Sequence, residues 1–223
     1  MGNSRTRARA LAAQHLGEGD YLGWFEPLYA EAGDNPRDIP WVDLSPNPHL
    51  VSWFSEESGR VPRGSALVVG CGLGDDAEYL GAHGFRVTAF DVSPTAVDWC
   101  RRRFPQSPVV YEVRDLFHAP IAWRGAFDLI FEAYTLQVFP QSIRPGAMRE
   151  MSKWLSPAGR LVVITRGREI DGPEGQMPWP LTRAELGMFE EAGLACQRFD
   201  DFLDDEQPPV RRFRACYRPS YEP

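Results

Sequence analysis

Ala66-Leu67-Val68-Val69-Gly70-Cys71-Gly72-Leu73-Gly74-Asp75-Asp76 is the stretch from which the fold is read. Four apolar residues run into glycines at three alternate positions, and two aspartates follow. A short, continuous apolar run bounded by glycine reads as a strand buried on both faces. Glycines there let the backbone turn tightly and approach a ligand without a Cβ in the way. The loop opens a helix over residues 73–83, which ends at Gly84. Strand, glycine loop and helix in this order mark the first unit of an α/β sheet, with a ligand crevice at the carboxyl ends of the strands.

Working outward, strand and helix continue to alternate. Residues 86–90 form a second strand ending at Asp91, and Ser93 and Pro94 are the N-cap and first turn of a helix reaching about residue 103. Pro105 and Pro108 break it. Residues 109–114, 127–131 and 160–165 are the third, fourth and fifth strands. A helix around 142–155 precedes the last of these, closed by the turn Ser156-Pro157-Ala158-Gly159. Thr182-Arg183-Ala184-Glu185 is a capping box that opens a helix to about residue 192, closed by Gly193. Residues 194–201 and 210–217 are the last strands. The loop between them, with Pro208-Pro209, is too short for a helical crossover, so they pair antiparallel. The expectation is an α/β, Rossmann-like, seven-stranded, mostly parallel sheet with helices on both faces and an antiparallel last strand.

Upstream, residues 1–12 are small, polar and basic and read as a mobile tail. Residues 20–60 hold Tyr21, Trp24, Phe25, Tyr29, Trp41, Trp53 and Phe54, punctuated by prolines. Two short helices near 20–32 and 47–58 are expected, forming an aromatic lid. The division is therefore 1–60, tail and helical lid, and 61–223, the Rossmann-like domain.

Composition narrows the function. The chain has 223 residues and a net charge of −7, from 24 basic and 31 acidic side chains, which disfavours a nucleic-acid partner. The arginine runs (Arg5, Arg7 and Arg9; Arg101, Arg102 and Arg103; Arg211, Arg212 and Arg214) read as solvated faces. Cys71, Cys100, Cys196 and Cys216 show no CxxC and no metal-ligand spacing, which fits a reducing cytoplasm and no metal site. No apolar run approaches the ~18 residues of a membrane span, and the N-terminal arginines lack the apolar segment of a secretory signal. The sequence sets no oligomeric state; a monomer is compatible with it.

Two cofactor classes use such a loop. A dinucleotide fingerprint seats a pyrophosphate on the helix N-terminus. Here Asp75 and Asp76 would set two negative charges beside it. A zwitterionic ligand with an ammonium group meets no such objection, so the loop favours S-adenosylmethionine over NAD. Asp91, ending the second strand, can accept both hydroxyls of a ribose; the alternative, a cap for the next helix, is already filled by Ser93. Asp115, ending the third strand, can accept from an adenine amino group with Leu116 or Phe117 on the ring, or else forms a local Asx-turn. Glu132, ending the fourth strand, faces the crevice centre. Tyr134 and Arg166, after the fourth and fifth strands, face an acceptor, and Arg166 also reads as a solvated surface residue. His15, His49, His83 and His118 are scattered, and no catalytic triad or Cys–His pair is legible. No catalytic residue is assigned.

Gly70-Cys71-Gly72-x-Gly74, Asp91, Asp115 and the Phe127-Asp128-Leu129-Ile130 segment together resemble the class I S-adenosylmethionine-dependent methyltransferases over residues 65–217. Val68 stands where that class usually has an acid. In this the loop is similar to the thiopurine and thiol/halide methyltransferase branch, which reads Gly-Cys-Gly-x-Gly-x-Asp, with Asp76 at the last position. The run from Gly84 to Ser93, the Pro178-Trp179-Pro180 segment and Pro40-Trp41 are similar too. The resemblance implies S-adenosylmethionine as cofactor and S-adenosylhomocysteine as product. It implies lid aromatics, Tyr29 and Trp41, on the cofactor beside Gly70, Gly72, Gly74, Asp91, Asp115, Leu116 and Glu132. It also implies a small-molecule acceptor, a thiol first, between aromatic walls of Trp24, Phe25, Tyr134 and Trp179. The thiopurine enzymes often place Asp-Arg-Gly after the fourth strand, where this chain has Glu132-Ala133-Tyr134. Methylation of oxygen or nitrogen in a small aromatic acceptor, or a non-catalytic nucleotide-binding module, are the alternatives.

Overall fold

A computed structural model describes residues 2–57, 61 and 63–220. The strands are β1 (Ser65–Val69), β2 (Arg86–Asp91), β3 (Val110–Val113), β4 (Phe127–Ala133), β5 (Leu155–Arg166), β6 (Leu194–Leu203) and β7 (Arg211–Pro219). They form one sheet in the order β3-β2-β1-β4-β5-β7-β6. β7 runs antiparallel to β5 and β6, and the other neighbours are parallel, so six strands point one way and the last points back. The expected topology is the one found.

Alternation along the central strands explains why helices cover both faces. Leu67 and Val69 of β1, Ile130 of β4, and Leu161 and Val163 of β5 enter one core with Met148, Met151, Trp154 and Phe189. Their neighbours Ala66, Val68, Leu129, Phe131, Val162 and Ile164 enter the other with Trp53, Phe54, Leu80 and Val97. Period-two side chains that are apolar at every position require two cores. The helices supplying them are α3 (Pro48–Glu57), α4 (Asp75–Ala82) and α5 (Pro94–Arg103) on one face. On the other lie α6 (Arg144–Trp154) and the short α7 (Arg183–Leu186) and α8 (Met188–Glu191). Chain order reverses between β1 and β4, which opens the crevice at their carboxyl ends.

The local signals act as the sequence suggests. Ser93 Oγ accepts from Ala96 N at 3.0 Å and caps α5. Thr182 and Glu185 form the reciprocal capping box of α7. Three details differ. Residues 156–159 are drawn into β5, because Phe127 pairs with Leu155 while Leu129 pairs with Arg160 across a register shift. The expected helix after Thr182 is broken at Gly187, a poor helix former, into α7 and α8. Residues 2–12, expected in a mobile tail, belong to a helix, α1 (Gly2–Gly17). Ala8, Leu11 and Ala12 are buried from it against α2 (Phe25–Ala32), Ile39 and Trp99. Their i, i+3, i+4 spacing is the helix signal, weakened by the arginines between them. The expected end of the helix at 58 and the division after residue 60 fall on residues outside those described.

Candidate active site

A cavity of about 920 Å³ lies over the carboxyl ends of β1, β2, β4 and β5, roofed by residues from α1, α2 and the segment after it. Its floor is the glycine loop. Gly70, Gly72 and Gly74 have φ of 61°, 54° and 91°, values that L side chains avoid. A Cβ on Gly70 would lie 2.4 Å from Thr135 Oγ1, and one on Gly72 would lie 3.3 Å from the Tyr29 hydroxyl.

Asp91 closes this floor. Its Oδ2 accepts from Gly72 N and its Oδ1 from Ser93 N, each at 3.0 Å. Burial pushes its carboxyl up to about 6. Each oxygen still has lone-pair capacity for one further donor. Asp76, in the first turn of α4, accepts from Asn47 N at 2.7 Å, and burial pushes it up to about 6 as well. Asp75 is paired with Arg103 at 2.7 Å, so one of the two loop aspartates is neutralised. The neighbouring Cys100, and then burial, push the Cys71 thiol well up, which suits a packing residue and not a nucleophile.

The segment expected as a lid is tied down beside this floor by Glu26. Glu26 of α2 accepts from Ser93 Oγ at 2.5 Å and from Thr95 Oγ1 at 2.6 Å, at the start of α5. Behind it, Tyr29 is buried and its hydroxyl accepts from Trp41 Nε1 at 3.1 Å.

The far half of the cavity is built by β4, β5 and β7. Tyr134, at φ 67°, sits in the left-handed region that a bulky residue occupies only under constraint. Its N donates to Ile164 O at 3.0 Å. Glu132 Oε1 accepts from Thr135 N at 2.6 Å and Leu136 N at 3.0 Å, which fixes the turn. The Arg212 guanidinium lies 4.9 Å from the Tyr134 ring centroid. Arg166 and His49 complete this wall.

Of the residues singled out in the sequence, Phe25, Tyr29, Trp41, Gly70, Gly72, Asp75, Asp76, Asp91, Leu116, Tyr134 and Arg166 line the cavity together. The others stand behind it. Gly74 is the N-cap of α4. Asp115 makes the Asx-turn: its Oδ1 accepts from Phe117 N at 2.8 Å and its Oδ2 pairs with His118 at 2.6 Å, while Arg114 and Leu116 face the cavity. Glu132 is fully buried beneath the floor. Trp24 is fully buried and stacks on Phe25, the other wall aromatic expected there, which faces the cavity. Trp179 donates its backbone N–H to Gln137 O at 2.7 Å and packs against the N-terminal cluster. Sequence reasoning did not find Arg212, Asp204 and Glu206, because only the antiparallel return of β7 carries them to the crevice. It also missed His49, which has no motif around it.

Comparison with known proteins agrees with this geometry. Residues 67–163 match the family described as "Methyltransferase domain". The chain is 31% identical over 183 residues to "Probable thiol methyltransferase 2" of Arabidopsis thaliana, covering 80% of this chain and 75% of the relative. It is 28% identical over 154 residues to "Thiocyanate methyltransferase 1" of Arabidopsis thaliana, covering 68% of this chain and 65% of the relative. Among solved structures, the Burkholderia thailandensis 1,6-didemethyltoxoflavin-N1-methyltransferase, with its acceptor and S-adenosylhomocysteine bound, superposes with a TM-score of 0.69 at 15% identity over 88% of each chain. The chain belongs to the class I S-adenosylmethionine-dependent methyltransferases, and within them to the thiol methyltransferase branch. It is therefore an enzyme whose cofactor is S-adenosylmethionine. The positive-φ glycine cradle, the half-satisfied Asp91 carboxylate and the apolar Leu116 fit that cofactor.

Gly70→Ala tests the cradle. Left-handed strain and the clash with Thr135 are expected to lower stability by about 1–3 kcal/mol and to weaken S-adenosylhomocysteine binding. Gly125→Ala is the control, since Gly125 has φ 63° with open space around it. Thermal melts with and without S-adenosylhomocysteine should show a ligand-dependent deficit only for Gly70→Ala. Equal behaviour of the two would show that the cradle needs no bare backbone.

Proposed function

We propose that the methyl acceptor is a small organic thiol, methylated on sulfur. The observation that carries this reading is the make-up of the far wall. It holds two arginines and an aromatic ring, and its carboxylates Asp204 and Glu206 are both engaged by Arg212. With both carboxylates engaged, this wall offers no free carboxylate base, and a thiol near its ordinary pKa of about 8.5 loses its proton to water without one. The similarity to a thiol methyltransferase points the same way.

S-adenosylmethionine, when bound, supplies an electrophilic methyl group on a sulfonium. The chain's own residues then hold and align. Gly70 and Gly72 give the close approach, Asp91 accepts from the ribose hydroxyls, and Leu116 packs on the base. Asp76 complements cationic charge. Tyr29 and Trp41 roof the site and exclude water, and Tyr134 positions the acceptor. A donor that is already activated asks mainly for alignment. Gly74, Asp115, Glu132, Trp24 and Trp179 support this wall from behind. The net charge of −7 supports a small-molecule partner over a nucleic acid, and four unpaired cysteines support a reducing, cytoplasmic setting. Among the described residues no helix is long and apolar enough to cross a membrane.

A hydroxyl or nitrogen acceptor is the second reading, favoured by His49. Burial, and then the Arg212 guanidinium, push its imidazole below the usual histidine range, so it is neutral at pH 7 and able to take a proton. A labelled-methyl screen of thiols, phenols and amines at pH 7 and pH 9 decides between them. Thiols are expected to react at pH 7 and to gain rate as pH approaches their own pKa. Methylation confined to phenols or amines, and lost in His49→Gln, would establish the second reading.

A further inference from the structure

Arg166 and Arg212 are directly opposite each other across the β5–β7 pairing. Like charges in that position repel. Arg212 is neutralised: its Nε lies 2.6 Å from Asp204 Oδ2, and its Nη2 pairs with Glu206. Arg166 is not. Among the described residues its guanidinium has no hydrogen bond and no ion pair, and its Nε is buried without a partner. Its backbone is held firmly all the same. Arg166 N donates to Gln137 Oε1 at 3.1 Å, and its O accepts from Leu181 N at 2.9 Å. Burial and then Arg212 act against its charge, and the Glu206 carboxylate, already engaged by Arg212, offsets them only in part. A half-buried guanidinium with an empty fork, carried on a held backbone, is an incomplete anion site.

Its position says which ligand completes it. The cofactor residues lie at the ends of β1, β2 and β3, whereas Arg166 ends β5, beyond β4 and beside Tyr134. The cavity, at about 920 Å³, is near the upper end of the roughly 300–1,000 Å³ of ligand pockets, so it leaves room for an organic acceptor beside the cofactor. An anion held here belongs to the acceptor.

We propose that Arg166 is a specificity-determining residue that binds a carboxylate carried by the methyl acceptor, so that the substrate class is an aromatic or other apolar thiol bearing a carboxylate. This rests on the thiol reading above for the sulfur, and on the unpaired guanidinium for the carboxylate.

The test compares 2-, 3- and 4-mercaptobenzoate with thiophenol, and the matching hydroxybenzoates with phenol, in the wild type, Arg166→Met and Arg166→Lys. In the wild type the best carboxylate isomer is expected to exceed its neutral parent at least tenfold in kcat/KM. In Arg166→Met that ratio should fall tenfold or more, through KM and not kcat, with Arg166→Lys in between. The ratio is the readout, because a merely structural arginine would lower both members of a pair together. That outcome, or a wild-type ratio near one, overturns the proposal. If only the hydroxyl pair is methylated and the ratio persists, the sulfur reading fails and the carboxylate site stands. Thiocyanate turnover whose KM depends on Arg166, with no preference among the organic pairs, would assign the cation to a free inorganic anion and overturn it. Calorimetry of the mercaptobenzoates on the S-adenosylhomocysteine-loaded enzyme gives an answer independent of turnover: binding weakened tenfold or more in Arg166→Met supports the site, and equal binding refutes it.

Discussion

Asp91→Ala is expected to raise the dissociation constant of S-adenosylhomocysteine by about 30- to 900-fold, equivalent to about 2–4 kcal/mol for two charge-assisted hydrogen bonds. The melting temperature of the unliganded protein should move little. Two opposing effects set that second expectation. The substitution strips Gly72 N and Ser93 N of their acceptor. It also removes a carboxylate that burial holds at about 6, against an ordinary value near 3.9, which relieves a cost of about 3 kcal/mol at neutral pH. Calorimetry on folded protein separates binding from folding. Unfolding of the variant with unchanged affinity per folded molecule would make Asp91 a structural residue. The pH dependence supplies a second check. If the ribose hydroxyls donate to the ionised carboxylate as proposed, Asp91 alone should lower wild-type affinity about tenfold per pH unit below about 6, with any contribution of Asp76 added to it. In Asp91→Asn that slope should shrink to what Asp76 alone contributes.

The way Asp91 is built also shows why this half of the site is readable from the chain. Glycines at positive φ, an acid at a strand end and a serine cap are local demands, met within a few residues of one another. The far half is set by register. Arg166 and Arg212 are 46 positions apart, and only the antiparallel return of β7 places them opposite each other. Composition gives no hint that Asp204 and Glu206 would satisfy one arginine and leave the other. Asp115 and Trp24 are the reverse case. Each falls in the element expected to carry it to the site, yet the Asp115 carboxylate is engaged by its own turn and the Trp24 ring is buried against Phe25. The sequence named both members of each pair, and side-chain direction kept Leu116 and Phe25 in the lining and turned Asp115 and Trp24 away. For α1 the signal was present in Ala8, Leu11 and Ala12 but small, since two of the three buried side chains are alanines and bury little area.

Glu132→Gln is expected to leave the protein at least as stable as the wild type at pH 8 and to flatten its stability between pH 5 and pH 8. Glu132 is fully buried; Oε1 is satisfied by Thr135 N and Leu136 N, while Oε2 has no partner. Burial pushes its carboxyl up to about 7. A carboxyl raised in the folded state binds its proton more tightly there than in the unfolded chain, so its stabilising proton is fully present below about pH 4 and lost as pH rises through 7. Going from an ordinary value near 4.3 to about 7 costs the fold on the order of 3 kcal/mol once the group is ionised. Glutamine keeps one acceptor for the two backbone N–H groups and carries no charge to bury. Asp76 and Asp91, raised to about 6 for the same reason, act in both proteins, so the difference between the two curves isolates Glu132. Denaturant unfolding at pH 5, 6, 7 and 8 measures it. A variant that is uniformly less stable, with the wild-type slope, would mean that both oxygens are needed to hold the turn. Loss of the slope with retained turnover would show that the Glu132 charge takes no part in turnover and that the side chain acts through the Thr135–Leu136 turn it holds.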